Sequence, residues 1–414
     1  MANRDILIDE MDGSLWVATL RGHKIHGLEI DPSPEEEAVR WGSVYWARVT
    51  RIDKSMDAAF LLLSEEGYTG VLHNKDLRLF DKDGKPLNNS GEAIGKRVKP
   101  GDMLAVQAKN GYLPTLDSTE LVTEDKSPRV SMNITIPARH LIYSPMMEGN
   151  RISKRIGDKK QRKQMNKMLD NVEDVNGCIL RASAAHTQTD ILVREAKILK
   201  DMWEHIQEFL SGDEPSLIME GPDAVQRTLS DQAGKVIDNI EVVTHEQYQE
   251  VEEWCEVFAP DLVTKVKPVE LPDQEMGLGL FDFRGVLDQV EDLFQVYVLL
   301  KHGGSLIMQP TAAMFVVDVN RGGDTRSNLE INKEAAEEIG RQIRMRNLGG
   351  IIIVDFLKLK TKKDKDAMVQ VLEDMVAEDP CTIQIHGTTN LGLVELTRNR
   401  RTPALQDRLD IVLE

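Results

Sequence analysis

The sequence predicts an α/β protein of several domains, and three observations lead to this prediction. At 414 residues the chain is too long for one compact core, so two to four domains are expected. Short β segments separated by glycine and proline turns predict a small β-barrel over about residues 40–125. Towards the C-terminus an amphipathic helix lies between two apolar strands, which is typical of a parallel α/β unit.

Composition is ordinary for a soluble globular protein, with 41% hydrophobic and 29% charged residues. No apolar run approaches the roughly 18 residues that a membrane-spanning helix needs. The first residues, "MANRDILIDEMDG", lack the apolar core of a signal peptide. We therefore expect a cytoplasmic protein with no membrane partner. The cysteines Cys178, Cys255 and Cys381 form no CxxC pair and are expected to be buried reduced thiols.

The net charge of −18 argues against a nucleic-acid partner, but the basic residues are concentrated in a few segments. Residues 151–168 hold eight Lys or Arg against one Asp, and residues 341–365 hold eight against two. "RNRR" follows at 398–401. Such segments can form a restricted path for a polyanion on an acidic protein. For any one segment, a solvated helix face is an equal alternative.

Taken in order, the elements begin with three short strands in residues 1–30, "DILIDEM", "SLWVATL" and "KIHGLEI". After the barrel region, "NGCILRASAA" predicts a strand that ends in a loop. Residues 194–212, "REAKILKDMWEHIQEFLSG", predict an amphipathic helix that ends on glycine. "PDAVQRTLSDQ" and "HEQYQEVEEWCEVFAP" predict helices on either side of the strand "VIDNIEVV".

The last unit contains two apolar strands that each end on an aspartate, "FVVDVN" at 315–320 and "IIIVDF" at 351–356. Between them, apolar residues recur every four positions and predict one helix. "RNLGG" then predicts its C-terminal end. The four members of the apolar stripe are Ile331, Ala335, Ile339 and Ile343.

The two aspartates predict a metal site if their strands are parallel neighbours. Neighbouring strands lie about 4.8 Å apart, and the C-terminal ends of parallel strands meet at one edge of a sheet. Asp318 and Asp355 could then share one Mg²⁺ ion, because close carboxylates repel each other and hard cations prefer oxygen ligands. Asn320 points to the same side of its strand as Asp318. The alternative is that the aspartates only begin polar loops or cap helices.

Three segments resemble the catalytic region of the ribonuclease E/G family: "FVVDVN", "NKEAAEEIGRQIRMRNLGGIIIVDF" and "GLVELTRNRRTPAL". "VTRIDKSMDAAF" resembles the start of that family's S1 domain, an OB-type barrel, and "RISKRI" and "GCILRASAA" resemble its 5′-sensor region. The implied domains, in chain order, are the first strands of an RNase H-like region (1–38), the S1/OB-type RNA-binding domain (39–125), a 5′-sensor-like domain (126–213), the rest of the RNase H-like region (214–280) and a DNase I-like catalytic domain (281–414).

The resemblance implies an endoribonuclease that cuts single-stranded RNA with Mg²⁺, leaves 5′-phosphate and 3′-hydroxyl ends, and acts in RNA processing or turnover. Asp318 and Asp355 match the family's metal ligands, and Asn320 completes its catalytic set. Arg181 matches the arginine that grips a 5′-monophosphate. The residues expected to bind RNA are Phe60, Lys126, Arg181, Lys358 and Lys360.

Each of three RNA-binding assignments has a simpler structural alternative. Phe60 could be a core aromatic of the barrel, Lys126 a solvated lysine, and Arg181 one half of a surface salt bridge. Departures from the family pattern at Ala182 and Thr382 predict weakened sensing of the 5′ end, and Val71 predicts a weaker grip on bases. Ala312 replaces an acidic residue that is common in the family.

Two other functions stay open. One is an RNA-binding family member with little or no nuclease activity, and the other is a phosphoesterase acting on small nucleotides. The family's zinc-binding cysteine motif has no counterpart in this sequence, so any homo-oligomer is expected to assemble without a zinc link.

Overall fold

The structure, a computed structural model, describes residues 4–33, 39–79, 91–111, 127–153, 156, 159–169, 176–272 and 279–408. The chain divides into two compact units. The first comprises residues 1–30, 238–243 and 268–414, and the second comprises residues 31–237 and 244–267.

The first unit contains a sheet built mainly from the N-terminal residues. Four of its five strands are β1 (Arg4–Met11), β2 (Ser14–Arg21), β3 (Lys24–Asp31) and β14 (Asn239–Val242), which follow one another in the order β14-β1-β2-β3. β1 pairs antiparallel with β2 and parallel with β14. The three predicted N-terminal strands are therefore confirmed. The helices α5 (Leu280–Phe283) and α6 (Leu287–Glu291) pack against this sheet through Phe281 and Val290.

A second sheet of the first unit carries the residues of most interest. Its order is β16-β17-β18-β19-β21-β20, and β18 and β19 are its central parallel pair. The strands are β16 (Tyr297–Leu299), β17 (Ser305–Pro310), β18 (Met314–Asn320), β19 (Gly350–Asp355), β20 (Thr382–Thr388) and β21 (Val394–Asn399). The helices of this region are α7 (Asn328–Met345), α8 (Lys362–Ala377) and α9 (Leu405–Arg408).

Helices α7 and α8 cover one face of this sheet. The predicted stripe of α7 is fully buried in the shared core, together with Met368 and Leu372 of α8. Ser327 and Glu330 form a capping box at the start of α7, and Asn347 follows its end with a φ of 49°. The predicted helix, its apolar face and its terminal turn are confirmed.

The second unit contains a closed five-stranded barrel, formed by β4 (Val44–Asp53), β5 (Ala58–Leu62), β6 (Thr69–His73), β7 (Met103–Ala108) and β8 (Arg129–Ser131). Pairing of β4 with β7 closes the ring, and β13 (Ser216–Met219) adds to the outer edge of β4. The barrel predicted near the N-terminus is present, and its last strand lies beyond residue 125.

The remainder of the second unit combines a small sheet with helices. The sheet strands are β9 (Ile136–Pro137), β10 (Leu141–Tyr143), β11 (Arg151–Ile152) and β12 (Cys178–Leu180). The helices are α1 (Lys159–Leu169), α2 (Thr189–Glu208), α3 (Ala224–Asp231) and α4 (His245–Phe258). β15 (Val266–Pro268) lies where the chain passes back to the first unit. α2 begins five residues before the predicted helix and ends at Glu208, four residues before the glycine predicted to end it.

The fold is therefore a mixed α/β architecture with several sheets, as predicted. The assignments to S1, RNase H-like, sensor-like and DNase I-like folds, and the division into five ranges, stay predictions. All three cysteines are buried and free, as expected. Burial raises the pKa of the Cys178 and Cys255 thiols to about 12, which keeps them protonated and unreactive. No helix within the described part of the chain is long and apolar enough to cross a membrane.

Candidate active site

The two strand-end aspartates lie side by side. β18 and β19 are parallel, and their register pairs Asp318 directly with Asp355. Val317 and Val354 point into the core on the helix-covered face, so the aspartates, one residue further along each strand, lie on the opposite face. Asp318 is half-buried and Asp355 is exposed. The condition set for the predicted metal site, that the two strands are parallel neighbours, is therefore met.

Asn320 belongs to the same group. It lies two residues after Asp318 on the same face, and its Nδ2 donates a 2.9 Å hydrogen bond to Asp318 Oδ2. The Asp355 carboxylate accepts no hydrogen bond and forms no ion pair with any residue that the structure describes. Two adjacent carboxylates with spare oxygen lone pairs are the donor set that a hard divalent cation prefers.

The protein supplies an incomplete ligand shell at this position. The described residues hold no group of three or more His, Cys, Asp or Glu side chains that could bind a metal ion. Magnesium usually keeps several waters and is held by one or two carboxylates together with substrate phosphates. Asp318 and Asp355 therefore fit Mg²⁺ in a site that water and a phosphate would complete.

A loop with several internal hydrogen bonds follows Asn320 at the end of β18. Arg321 donates to the carbonyl oxygens of Asp324 and Arg326, and Arg326 forms a bidentate pair with the buried Asp324. These hydrogen bonds from Arg326 lower the pKa of Asp324 to about 2. Gly322 has a φ of 54°, and a Cβ there would lie 2.2 Å from the Gly303 carbonyl oxygen. Only glycine fits this close approach between the loop and the β16–β17 turn.

The loop after Asp355 is held by a residue that the sequence analysis missed. Asn332, fully buried in α7, donates from Nδ2 to Leu357 O at 2.7 Å and accepts from Leu357 N at 3.0 Å. Its amide thus satisfies both backbone groups of Leu357, two residues beyond Asp355. Asn328 adds a 2.9 Å hydrogen bond to Lys358 O. The sequence feature that could have identified this residue is an asparagine on the apolar side of a helix, where a buried polar side chain needs a hydrogen-bond partner.

Replacing Asn332 by leucine should destabilise the first unit by about 1–3 kcal/mol and reduce turnover. The two partly buried backbone groups of Leu357 would lose their partners, and the segment next to Asp355 would shift. Thermal unfolding and RNA cleavage rates measure the two effects. Gln370→Ala, at an exposed position of α8, should leave both unchanged. Wild-type stability and turnover for Asn332→Leu would contradict the role assigned to this amide.

The basic segments divide into a buried part and an exposed part. Arg344, Arg346 and Arg398 are buried, so these side chains of the basic segments do not lie on a solvated surface. Burial lowers the pKa of Arg346 to about 10. Lys358 and Lys360, in the loop after Asp355, are exposed. Arg400 of the "RNRR" run is also exposed, so exposed basic side chains of both types are present in these segments. The RNA-binding role of Lys358 and Lys360 stays a prediction.

Phe60 lies on β5 of the barrel and is half-buried, so it is not a fully buried core residue. The Arg51 guanidinium lies over its ring, with Cζ 3.9 Å from the ring centroid. Val71, paired with Phe60 in the barrel register, is buried and offers no stacking surface. Phe60 stays a candidate for base stacking, with Arg51 beside it as a second planar group. Lys126, the other predicted RNA contact near the barrel, lies outside the described residues.

Arg181 is engaged within the second unit. Its guanidinium donates to Ala138 O at 2.8 Å and forms a 2.8 Å ion pair with Asp231 Oδ1, a carboxylate that is mostly buried. The predicted alternative of a salt bridge is therefore present, although it is not a surface one. A carboxylate already occupies one donor of the guanidinium and would repel a phosphate. The role of Arg181 as a 5′-phosphate sensor stays a prediction.

His140, two residues from Ala138, is expected to make the stability of the second unit depend on pH. Burial, and then the neighbouring Arg139 charge, lower its pKa to about 4, while an unfolded chain has the ordinary value of about 6.5. As pH falls from 6.5 to 4, the unfolded state takes up a proton that the folded state does not. Unfolding free energy should therefore decrease over this range, by up to about 3 kcal/mol from this group. His140→Gln should flatten that slope in denaturant melts at each pH, and an unchanged slope would contradict the assignment.

Comparison with known proteins identifies the family. The sequence pattern that defines the Ribonuclease E/G family matches residues 135–401, which is more than half of the chain. The chain belongs to the ribonuclease E/G family. Both aspartate strands, the helix between them and Arg181 fall inside the matched range.

Individual members of the ribonuclease E/G family match nearly the whole chain. Ribonuclease G of Haemophilus influenzae is 29% identical over 376 residues, covering 88% of this chain and 73% of that protein. Ribonuclease G of Salmonella typhimurium is 28% identical over 415 residues, covering 97% and 81%. Ribonuclease E of a Nostoc species is 27% identical over 368 residues, covering 87% of this chain but 51% of that longer protein.

Proposed function

We propose that this chain is an endoribonuclease that cleaves single-stranded RNA by hydrolysis with Mg²⁺ held between Asp318 and Asp355. The observation that carries the proposal is the direct pairing of these two carboxylates at the ends of adjacent parallel strands. Membership of a family whose named members are ribonucleases supports the same reaction class. The products would carry 5′-phosphate and 3′-hydroxyl ends, and the activity would serve RNA processing or turnover in the cytoplasm.

The residues of the candidate site would have distinct roles in this reaction. Asp318 and Asp355 would hold the cation, and Asn320 orients Asp318 through its 2.9 Å hydrogen bond. Bound there, Mg²⁺ would supply Lewis-acid polarisation of a phosphodiester and would help an attacking water to lose its proton. Lys358 and Lys360 attract the RNA backbone to the loop beside Asp355. Asn332 keeps that loop in place.

Incubation of the wild-type protein with labelled single-stranded RNA tests this function. Cleavage is expected with Mg²⁺ and not with EDTA, and the fragments should carry 3′-hydroxyl ends that a poly(A) polymerase can extend. RNA binding without metal-dependent cleavage would select the RNA-binding alternative. Cleavage that persists in EDTA would contradict the metal role of the aspartates.

The second unit leads to a prediction about the 5′ end. Because Asp231 pairs with Arg181, RNAs with a 5′-monophosphate or a 5′-hydroxyl should be cut at rates within about threefold. Asp231→Asn removes the competing charge while keeping a hydrogen-bond acceptor, and it should increase the preference for 5′-monophosphate. Competition assays with the two RNAs in one tube measure this ratio. A preference above about tenfold in the wild type would show that Asp231 does not block the sensor.

A further inference from the structure

The face of the catalytic sheet opposite α7 and α8 carries more than the catalytic residues. Val298 of β16 points into the helix-covered core, so Tyr297 and Leu299 lie on the other side, which we name the open face. Asp318, Asn320 and Asp355 lie on this same open face. It is therefore the face that a scissile phosphate must approach.

Tyr297 stands in one row with the two aspartates. The register pairs Tyr297 with Ile307, Ile307 with Asp318, and Asp318 with Asp355. Adjacent strands are about 4.8 Å apart, so the Tyr297 and Asp318 backbones are separated by about 10 Å along this row. That is near enough for a nucleotide beside the scissile phosphate to reach the phenol ring.

The open face carries several large apolar side chains that are exposed. Tyr297 is 54% exposed, Leu299 72%, Met314 38% and Ile351 45%. Their side chains are contributed by three strands, and Ile307 and Ile353 between them are partly exposed. A grouped set of large exposed apolar side chains marks a binding surface, whereas single ones are ordinary.

We infer that the open face binds the bases that flank the scissile phosphate of single-stranded RNA, with Tyr297 stacking on one of them. This inference rests on the proposed function. A phosphate held at Asp318 and Asp355 requires the adjoining nucleotides to cross this face. Exposed aromatic and aliphatic side chains bind base surfaces with little regard to sequence.

A second copy of this chain is the competing occupant, and charge disfavours it. Pairing two open faces by a two-fold axis would bring Asp318, Asp355 and the exposed Glu395 of one copy towards the same carboxylates of the other. With RNA, the cation between the aspartates and the exposed Lys358 and Lys360 offset the repulsion that the same carboxylates would cause.

Binding measurements with abasic RNA test the stacking directly. In the Asp318→Asn background, which should not cleave, affinity is measured for a short RNA and for a series in which one base at a time is removed. Tyr297→Ala should weaken binding of the intact RNA at least fivefold, and Tyr297→Phe should stay within twofold of tyrosine. Removing the stacked base should weaken RNA binding by the protein that has Tyr297. The same removal should not further weaken RNA binding by Tyr297→Ala. Phe283→Ala, which removes a similarly exposed aromatic of α5, should have no effect.

Several outcomes would overturn the inference. These are wild-type affinity for Tyr297→Ala, an equal loss on every abasic RNA, and a concentration-dependent dimer in sedimentation that Tyr297→Ala abolishes. The last result would assign the open face to a second copy. RNA cleavage by the wild-type protein is measured separately, because its absence would refute the proposed function itself. Normal cleavage by the wild type, together with unchanged RNA affinity in Tyr297→Ala, would refute only the stacking.

Discussion

Asp318→Asn and Asp355→Asn should each reduce kcat/KM for RNA cleavage by at least about a thousandfold. Each change removes one of the two negative charges that hold the cation, and several kcal/mol of transition-state stabilisation depend on that ion. Asparagine is close in size to aspartate, so the fold should be retained. Cleavage of a fluorescent single-stranded RNA in Mg²⁺ gives the rates, and circular dichroism and melting temperature report the fold.

Glu373→Gln provides the matched control, because it also replaces an acid by its amide but at an exposed position of α8. Its rate should equal that of the wild type. Wild-type rates in either aspartate variant would remove the basis of the proposed mechanism. A variant that loses both its activity and its melting transition would indicate misfolding. The cleavage rate of the variant at the other aspartate would then test the role of the pair.

Asp379→Asn should destabilise the first unit by about 3–5 kcal/mol. Asp379 forms a buried ion pair with Arg398, whose side chains are 0% and 2% exposed respectively. Arg398 also donates to Asn347 Oδ1 and Leu348 O at 2.7 and 2.8 Å, which joins β21 to the turn before β19. Neutralising Asp379 leaves a buried guanidinium charge without its counterion, which is far more costly than losing an exposed pair. Chemical denaturation monitored by fluorescence measures the loss.

Two further variants separate charge burial from simple contact loss. Asp407→Asn breaks the exposed pair with Arg400, 3.0 Å long, and should cost less than about 1 kcal/mol. Replacing Arg398 by methionine together with Asp379 by leucine should be less destabilising than Asp379→Asn alone, because no unpaired charge is then buried. If the Asp379→Asn protein were as stable as the wild type, the contribution assigned to this ion pair would be contradicted.

Local sequence patterns were sufficient for the part of the fold that holds the candidate site. The four-residue spacing of Ile331, Ala335 and Ile339 predicts the covered face of α7, and the apolar runs before Asp318 and Asp355 predict two buried strands. A helix of that length between two strands allows parallel pairing, and the structure has it. The same patterns do not give the strand order of the other sheets, which depends on contacts between distant segments.

Charge pairing accounts for most of what the sequence did not reveal. Arg398 lies in a basic run that looks solvent-exposed, but its partner Asp379 is 19 residues away and the pair is buried. The ion-pair partner of Arg181 is Asp231, which lies 50 residues later in the chain. Tertiary packing brings such partners together, and no local periodicity of the sequence predicts which residues will pair. Asn332 is an intermediate case, because its place on an apolar stripe is visible in the sequence while its partner Leu357 is not.

Binding of Mn²⁺ as a spectroscopic substitute for Mg²⁺ tests the central claim most directly. Electron paramagnetic resonance titration should find one Mn²⁺ site per chain in the wild type that is strengthened by a non-cleavable RNA analogue. That site should be lost in both Asp318→Asn and Asp355→Asn and kept in Glu373→Gln. Undiminished Mn²⁺ binding in the two aspartate variants would contradict a cation shared between these carboxylates.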